Sequence, residues 1–443
     1  MLLIGNGNLY TGPAQGRLIQ DGAVLIDGQR IADTGTTQDL RKQYAKAEFL
    51  DAKGMLIMPG FINAHEHIYS AFARGLSIPG NNPMNFLEIL EGTWWKIDRK
   101  LTLRQTYYSA IATYIEAIKN GVTFVNDHHA SYGDVTDSLF MIANAAEMLG
   151  VRTCLCYEVS DRDGVPKRNQ AIAENARFLA RVQKKRNPML SGLFGLHASF
   201  TLSDETIDFC KEANVSGAGY HVHIAEGLYD QEHCQEKYGM TVVERLHRAG
   251  ILGAKSVAGH CIHITESDMD ILADTKTTVI HNPESNMGNA VGAPDIIGML
   301  DKGIQVGLGT DGYTHDVLES LKVANILQKH KRQLPDRGFM EALCCLKNNA
   351  FIASDLTGDK LGELKKGYLA DVILVDYKPN TPLTEENIGG HLLFGINGSM
   401  TDTTIINGKI VMKHRILQGV EEETLLANCR ESAKTLWQSL GAI

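Results

Sequence analysis

At 443 residues, 44% of them apolar, the chain can bury a sizeable core and is long enough for one large domain with a smaller one beside it. The formal charge of −9 is mild and the 43 Lys and Arg residues form no long run, which argues against nucleic acid or an anionic membrane surface and favours a small neutral ligand. No apolar run reaches membrane-spanning length, Met1-Leu2-Leu3-Ile4-Gly5 carries no basic leader, and the eight cysteines include no Cys-x-x-Cys pair, so a cytoplasmic protein without a disulfide framework or zinc ribbon is expected.

Early in the chain, Gly22 to Ala32 places Asp27-Gly28 between two short β-rich runs, and near its end Thr404 to Val411 does the same with Asn407-Gly408. Both read as hairpins. With Ala370 to Asp376 as a further strand, the simplest assembly is one small β-sandwich drawn from both termini, over 1–57 and 362–443. The acids that open Glu421 to Leu440 mark a terminal helix within it.

From 58 to 361 the pattern changes to short apolar runs alternating with helical ones, as in parallel β/α units. The runs fall at 60–65, 122–127, 151–157, 190–197, 217–223, 255–260, 277–281 and 304–310. Helices predicted between them include Leu101 to Asn120, stopped by Gly121, and Asp134 to Leu149, stopped by Gly150. Eight such units predict an α/β protein built on a closed (β/α)8 barrel, whose reactive groups gather at the strand C-terminal ends. A doubly wound open sheet is the other candidate, and no Gly-x-Gly-x-x-Gly after the first strand supports it.

The strand ends carry the chemistry. His65 and His67 close the first strand and, two residues apart, point to one side. Alone, such a pair is better explained by hydrogen-bonded strand-end histidines than by a metal. Later strands add Asp127-His128-His129, His197, His221 and His223 with Glu226 three residues on, His260, His281 and Asp311.

Five motifs in this order, Pro59-Gly60-Phe61-Ile62-Asn63-Ala64-His65-Glu66-His67, His221-Val222-His223-Ile224-Ala225-Glu226, Gly259-His260-Cys261-Ile262-His263, His281-Asn282-Pro283-Glu284-Ser285-Asn286 and Gly309-Thr310-Asp311-Gly312, resemble the amidohydrolase superfamily. Within it the chain is most similar to SsnA-type aminohydrolases, in the branch that deaminates guanine, 8-oxoguanine, cytosine-type and triazine rings. The resemblance runs nearly the whole length, including Gly367-x-x-Ala370-Asp371-Val372 near the end. It implies His65, His67, His223 and Asp311 as ligands of one divalent metal, zinc first, with iron and manganese also suited. Three neutral imidazoles and a carboxylate leave a position for water, whose pKa the cation lowers toward about 7. Glu226 is then the proton shuttle to a ring nitrogen, His260 a hydrogen-bond partner of the developing oxygen, and Asp311 the acceptor of the water's proton.

The resemblance also makes His197 and His281 substrate contacts, with His129 as a weaker one. His129 also reads as a loop residue near solvent, and His221 reads equally as a satisfied core histidine or as support behind the ligands. Ser285 and Asn286 read as structural, holding their loop. Specificity is expected in the excursion Ile68 to Lys100, where Trp94 either stacks on a planar ring or, with Trp95, pins the excursion to the barrel. Arg74 in the same segment reads as an ion-pair partner.

The expected activity is hydrolytic release of ammonia from a heterocycle such as guanine, 8-oxoguanine or isocytosine, by a homodimer. The alternative is ring opening of a cyclic amide of the imidazolone or hydantoin type. Its two-metal form needs a lysine at a strand end, and Leu193-Phe194-Gly195-Leu196-His197 offers none. A non-catalytic barrel would have lost a ligand or Glu226, and this chain has lost neither.

Overall fold

The computed structural model describes residues 1–14, 16–185 and 187–443. Its centre is a ring of parallel strands: β1 (Phe61–Glu66), β2 (Val122–His129), β3 (Arg152–Tyr157), β4 (Phe194–Ala198), β5 (Tyr220–Ile224), β6 (Val257–His260), β7 (Thr278–His281) and β8 (Val306–Leu308). All their residues are buried, which is why they read in the sequence as continuous apolar runs instead of alternating ones. β1 to β3 pair in order, and so do β4 to β8.

Two seams join these groups. Leu190–Gly192, just before β4, pairs with β3, and Val159, just after β3, bridges Leu196 in β4. At the other seam the N–H groups of Thr310 and Asp311 both donate to the His65 carbonyl, at 3.1 and 3.0 Å. The fold is a (β/α)8 barrel. The fourth run is interrupted at Leu193, and the fifth starts at Tyr220, three residues late. There Asn214 ties down the preceding turn by accepting from the Ala218 N–H and donating to its carbonyl.

The helix before β2 covers Leu103–Lys119, and Thr102 and Gln105 cap its start reciprocally. The helix after β2 begins at Ser138, not at Asp134. Asp134 instead docks this loop on the preceding one, its N–H donating to the Leu101 carbonyl and its carboxylate accepting from the Leu103 N–H. Gly150 ends that helix with φ 72°, a conformation glycine adopts without strain.

Both termini contribute to one nine-stranded sheet. Its order runs Ile416–Leu417, Lys409–Lys413, Thr401–Ile406, Val372–Val375, Leu56–Pro59, Leu2–Tyr10, Leu18–Asp27 and Arg30–Thr36, with Glu48–Asp51 branching parallel to the start of Leu2–Tyr10. The sheet curls until Arg30 bridges Leu369, and Ile31 and Ile405 share one apolar core with Ile4, Val24 and Val372. In the second hairpin Asn407 and Gly408 take φ 53° and 76°. In the first the loop is Gly28-Gln29, one residue past the Asp27-Gly28 centre read from the sequence. The terminal helix is Glu422–Ser439.

Sheet and barrel meet at a buried ion pair. Arg152, at the start of β3 and wholly enclosed, donates through Nε and Nη2 to both oxygens of Asp371, at 3.1 and 2.9 Å. Asp371 also accepts from the Asn407 N–H at 2.7 Å. Removing one partner strands a buried charge, so Asp371→Ala is expected to destabilise by about 3–5 kcal/mol. Urea unfolding measures this, and a loss below about 1 kcal/mol would show that the pair does not hold sheet and barrel together.

Candidate active site

β1, β5, β6 and β8 aim their C-terminal residues at one point. His65, His67 and His223 each offer a ligand atom within 4.8 Å of the others, and so do His65, His260 and Asp311. Space is made by glycine: a Cβ on Gly309 would come within 2.8 Å of the His65 Cβ, and one on Gly259 within 3.3 Å of the His223 ring. Ala225, His260 and Asp311 are held at φ 46°, 69° and 55°. Left-handed conformations in such residues cost about 1–3 kcal/mol each and cluster where the geometry is functional.

Hydrogen bonds at the back of each imidazole fix its front. His67 Nδ1 donates to the His128 carbonyl at 2.6 Å, and His223 Nδ1 donates to the His197 carbonyl at 3.0 Å. His65 Nδ1 lies 2.8 Å from His221 Nε2, whose own Nδ1 faces Cys156 Sγ at 3.8 Å, and that thiol donates to the Asp127 carbonyl. One proton direction satisfies the whole chain, with His65 donating to His221 and His221 to sulfur. All three ligand candidates then present bare Nε2 lone pairs forward.

Those nitrogens crowd one another. His67 Nε2 stands 3.2 Å from His223 Nε2 and 3.2 Å from Asp311 Oδ1, while His65 Nε2 is buried with no hydrogen bond. Burial, and then the neighbouring histidines, push the pKa of His65 and His223 well below the ordinary range, so these two rings do not relieve the contact by taking up a proton. A divalent cation does, and the donor set, three imidazoles and a carboxylate, is one that binds it.

On the open side, His260 Nδ1 donates to Asn286 Oδ1 at 2.8 Å. Its Nε2 therefore faces Glu226 Oε2 at 3.4 Å and Asp311 Oδ2 at 3.6 Å. Burial and then the Asp311 carboxylate raise the Glu226 carboxyl well above its usual range, which favours its protonated form. Burial works the same way on Asp311, but the His67 and His260 rings outweigh it and Asp311 stays ionised.

A cavity opens over this cluster. His197, Trp94 and Trp95 line it; Tyr69 and Trp94 meet edge to face at 6.0 Å. His129 and His281 stand outside the lining. Side chains alternate along β2, so with His128 turned inward, His129 faces Ser131, 3.0 Å from its hydroxyl, and packs against Tyr157. His281 is enclosed, with neither ring nitrogen hydrogen bonded. Burial pushes both rings down to about 3. Arg74 pairs with Glu116 through two hydrogen bonds, away from the cavity.

Sequence reasoning passed over Glu158 and Arg162. Glu158 follows β3 into the cavity wall, where burial raises its carboxyl but His197, His128 and Arg162 prevail and hold it below the ordinary range. A carboxylate one residue past a strand end is the signal that would have found it. Asn286 and His221, read as structural or undecided, turn out to orient His260 and His65.

The sequence pattern of the amidohydrolase family matches residues 56–411, most of the chain and all of the barrel. The chain belongs to the amidohydrolase family. It is a hydrolase acting on carbon–nitrogen bonds other than peptide bonds. A second pattern, the bacterial imidazolonepropionase-like composite domain, matches residues 22–47, which lie in and beside the terminal sheet and hold no site residue. The chain is 32% identical over 418 residues to a 5-methylthioadenosine/S-adenosylhomocysteine deaminase of Thermococcus sibiricus, covering 93% of this chain and 94% of that one. It is 29% identical to a 5′-deoxyadenosine deaminase of Methanosarcina barkeri, covering 96% and 95%. In structure it resembles a zinc-bound adenosine deaminase of Xanthomonas campestris, with TM-score 0.87 and 20% identity over 99% and 98% of the two chains. The guanine deaminase of E. coli gives 0.79 and 18%, over 93% and 100%. At these identities the two structures establish shared fold.

The tautomer chain behind His65 has a measurable consequence. Outer partners of metal-binding histidines are worth about 10–100-fold in affinity, so His221→Phe is expected to weaken metal retention by that factor against a competing chelator. Retention equal to wild type would mean that His221 does not set the His65 tautomer.

Proposed function

We propose that the chain is a mononuclear metal-dependent aminohydrolase that releases ammonia from an adenosine-like amino-purine. The observation that carries this reading is the facing pair of His67 and His223 Nε2 atoms, closed by Asp311 and overlooked by Glu226, whose carboxyl burial raises well above its usual range. We assign His65, His67, His223 and Asp311 as ligands, with zinc the metal named for the Xanthomonas campestris enzyme. Held there, a divalent ion would lower the pKa of adjacent water toward about 7 and so supply a nucleophile at neutral pH.

The chain's own residues handle the protons. Asp311 directs Oδ1 toward the histidine ligands and leaves Oδ2, on the His260 side, to accept a proton from the attacking water. Glu226 donates its proton to the ring nitrogen beside the amino-bearing carbon, making that carbon electrophilic. His260, with its Nδ1–H committed to Asn286, accepts from the new hydroxyl through Nε2. Proton return to the amino group lets ammonia leave, and the ring keeps the water's oxygen.

Adenosine-type rings lead because the two deaminases named for them align over nearly the full chain at about 30% identity. Guanine, 8-oxoguanine and isocytosine follow. Unpaired cysteines, eight of them, support a reducing cytoplasm, and the homodimer and the division into 1–57 with 362–443 and 58–361 belong to the same proposal.

The test has two parts. A panel of aminated and cyclic-amide heterocycles, followed for ammonia against ring-opened product, should give ammonia with the ring intact; ring opening would favour the cyclic-amide reading. With a substrate in hand, Glu226→Gln is expected to lower kcat by about 10⁴-fold or more while metal content stays at the wild-type level. Retained turnover would make Glu226 a bystander, and lost metal would make it a ligand.

A further inference from the structure

Resting on the amino-purine reading, we propose that the cavity also selects its ligand by charge, with Glu158 as the specificity-determining residue. It admits neutral or cationic rings and turns away those that carry a carboxylate or phosphate.

Among the described residues, the lining holds four carboxyl groups, those of Glu158, Glu226, Asp230 and Asp311, and no lysine or arginine. Three are committed. Glu226 and Asp311 serve the chemistry, and Asp230 accepts from the N–H groups of Phe200 and Ala225, both at 3.0 Å. Glu158 is different. Its Oε1 accepts from Arg162 at 3.0 Å, but Oε2 lies 3.6 Å from His128 Nδ1, beyond hydrogen-bond length, and that nitrogen has no partner. A nearly enclosed carboxylate with an unfilled acceptor oxygen gains most from a ligand that brings an O–H or N–H donor.

The one guanidinium beside it cannot change the sign of the site. Arg162 is buried, bonded to Asp98 as well as to Glu158, and stacked over Tyr132 and Trp95 with its Cζ 4.2 and 5.1 Å from the ring centroids. It cannot swing into the cavity without breaking all four contacts. An anionic group placed beside Glu158 would therefore enter low-dielectric space facing like charge, with the nearby guanidinium already committed elsewhere. The relative from Thermococcus sibiricus is named for ligands of two kinds, uncharged 5-methylthioadenosine and zwitterionic S-adenosylhomocysteine, whose carboxylate comes with an ammonium. This cavity fits the first kind.

The experiment uses metal-loaded protein and ligands that share the adenosine ring and differ at the 5′ position: 5′-deoxyadenosine, 5′-amino-5′-deoxyadenosine, adenosine 5′-carboxylic acid and adenosine 5′-monophosphate. Affinities come from calorimetry on Glu226→Gln protein and kcat/KM from the wild type. Neutral and cationic members are expected to bind about 100-fold or more tightly than the anionic ones. Glu158→Gln should narrow that gap to about tenfold or less, mainly by weakening the amine and admitting the carboxylate. Anions binding within about tenfold of 5′-deoxyadenosine, a gap unchanged in Glu158→Gln, or no binding by any neutral or cationic member would each overturn the assignment. Should Glu158→Gln fail to fold, the wild-type series decides alone. Failure of the amino-purine reading looks different: the charge preference persists in binding, but no member of the series yields ammonia.

Discussion

His67 and His223 bring their Nε2 atoms to 3.2 Å with both Nδ1–H groups committed elsewhere, and the protein spends much of its architecture keeping them so. His67 and His223 come from strands β1 and β5, across the barrel from one another, and each is locked from behind by a backbone carbonyl. A barrel is well suited to this. Its strands end on one rim, each ending can carry a rigid donor, and the helices outside hold the strand positions fixed. The strain is local and the support is global, so the site can stay poised for a cation that the polypeptide alone cannot replace.

The seam between β1 and β8 shows how closely support and site are joined. Glu66 lies between the two histidines of β1 and points to the other face, where its Oε2 accepts from Asn63 at 2.6 Å and from Thr310 at 2.8 Å. Thr310 in turn donates its N–H to Asn63, and its neighbour is Asp311. His315 adds a further contact to the same oxygen at 3.2 Å. One buried carboxylate thus fixes the spacing between the strand that carries two histidines and the loop that carries the fourth ligand candidate. The adjacent position of Glu66 in the sequence, inside His-x-His, is explained by strand alternation: metal face and seam face must share one short segment.

What the sequence made legible was whatever depends on short periods. His65 and His67 were readable as a pair because strand side chains repeat every two residues, and the eight strands because each is a buried apolar run followed by a helical one. Glu226 and His260 stood out through their places after strand ends, aided by the family resemblance. The features that escaped depend on where separate loops meet. Nothing local connects Cys156, His221 and His65 into a proton-aligned chain, or sets Arg162 behind Glu158 so that a carboxylate lines the cavity while its counter-ion stays hidden. His129 shows the limit from the other side: its strand end was plain, but the direction of its ring followed from His128 occupying the inward position. Trp94 and Trp95 likewise took their roles from the fold of the excursion, which brings both to the cavity wall.

The central claim is that these strand ends form a single-ion centre. Native mass spectrometry of protein produced with ample zinc, backed by elemental analysis of the same sample, measures this directly. One tightly held divalent ion per chain is the expected result. Two ions, or none, would contradict it, because the contact between His67 and His223 calls for one cation between them and the described residues offer no lysine at the end of β4 to bridge a second.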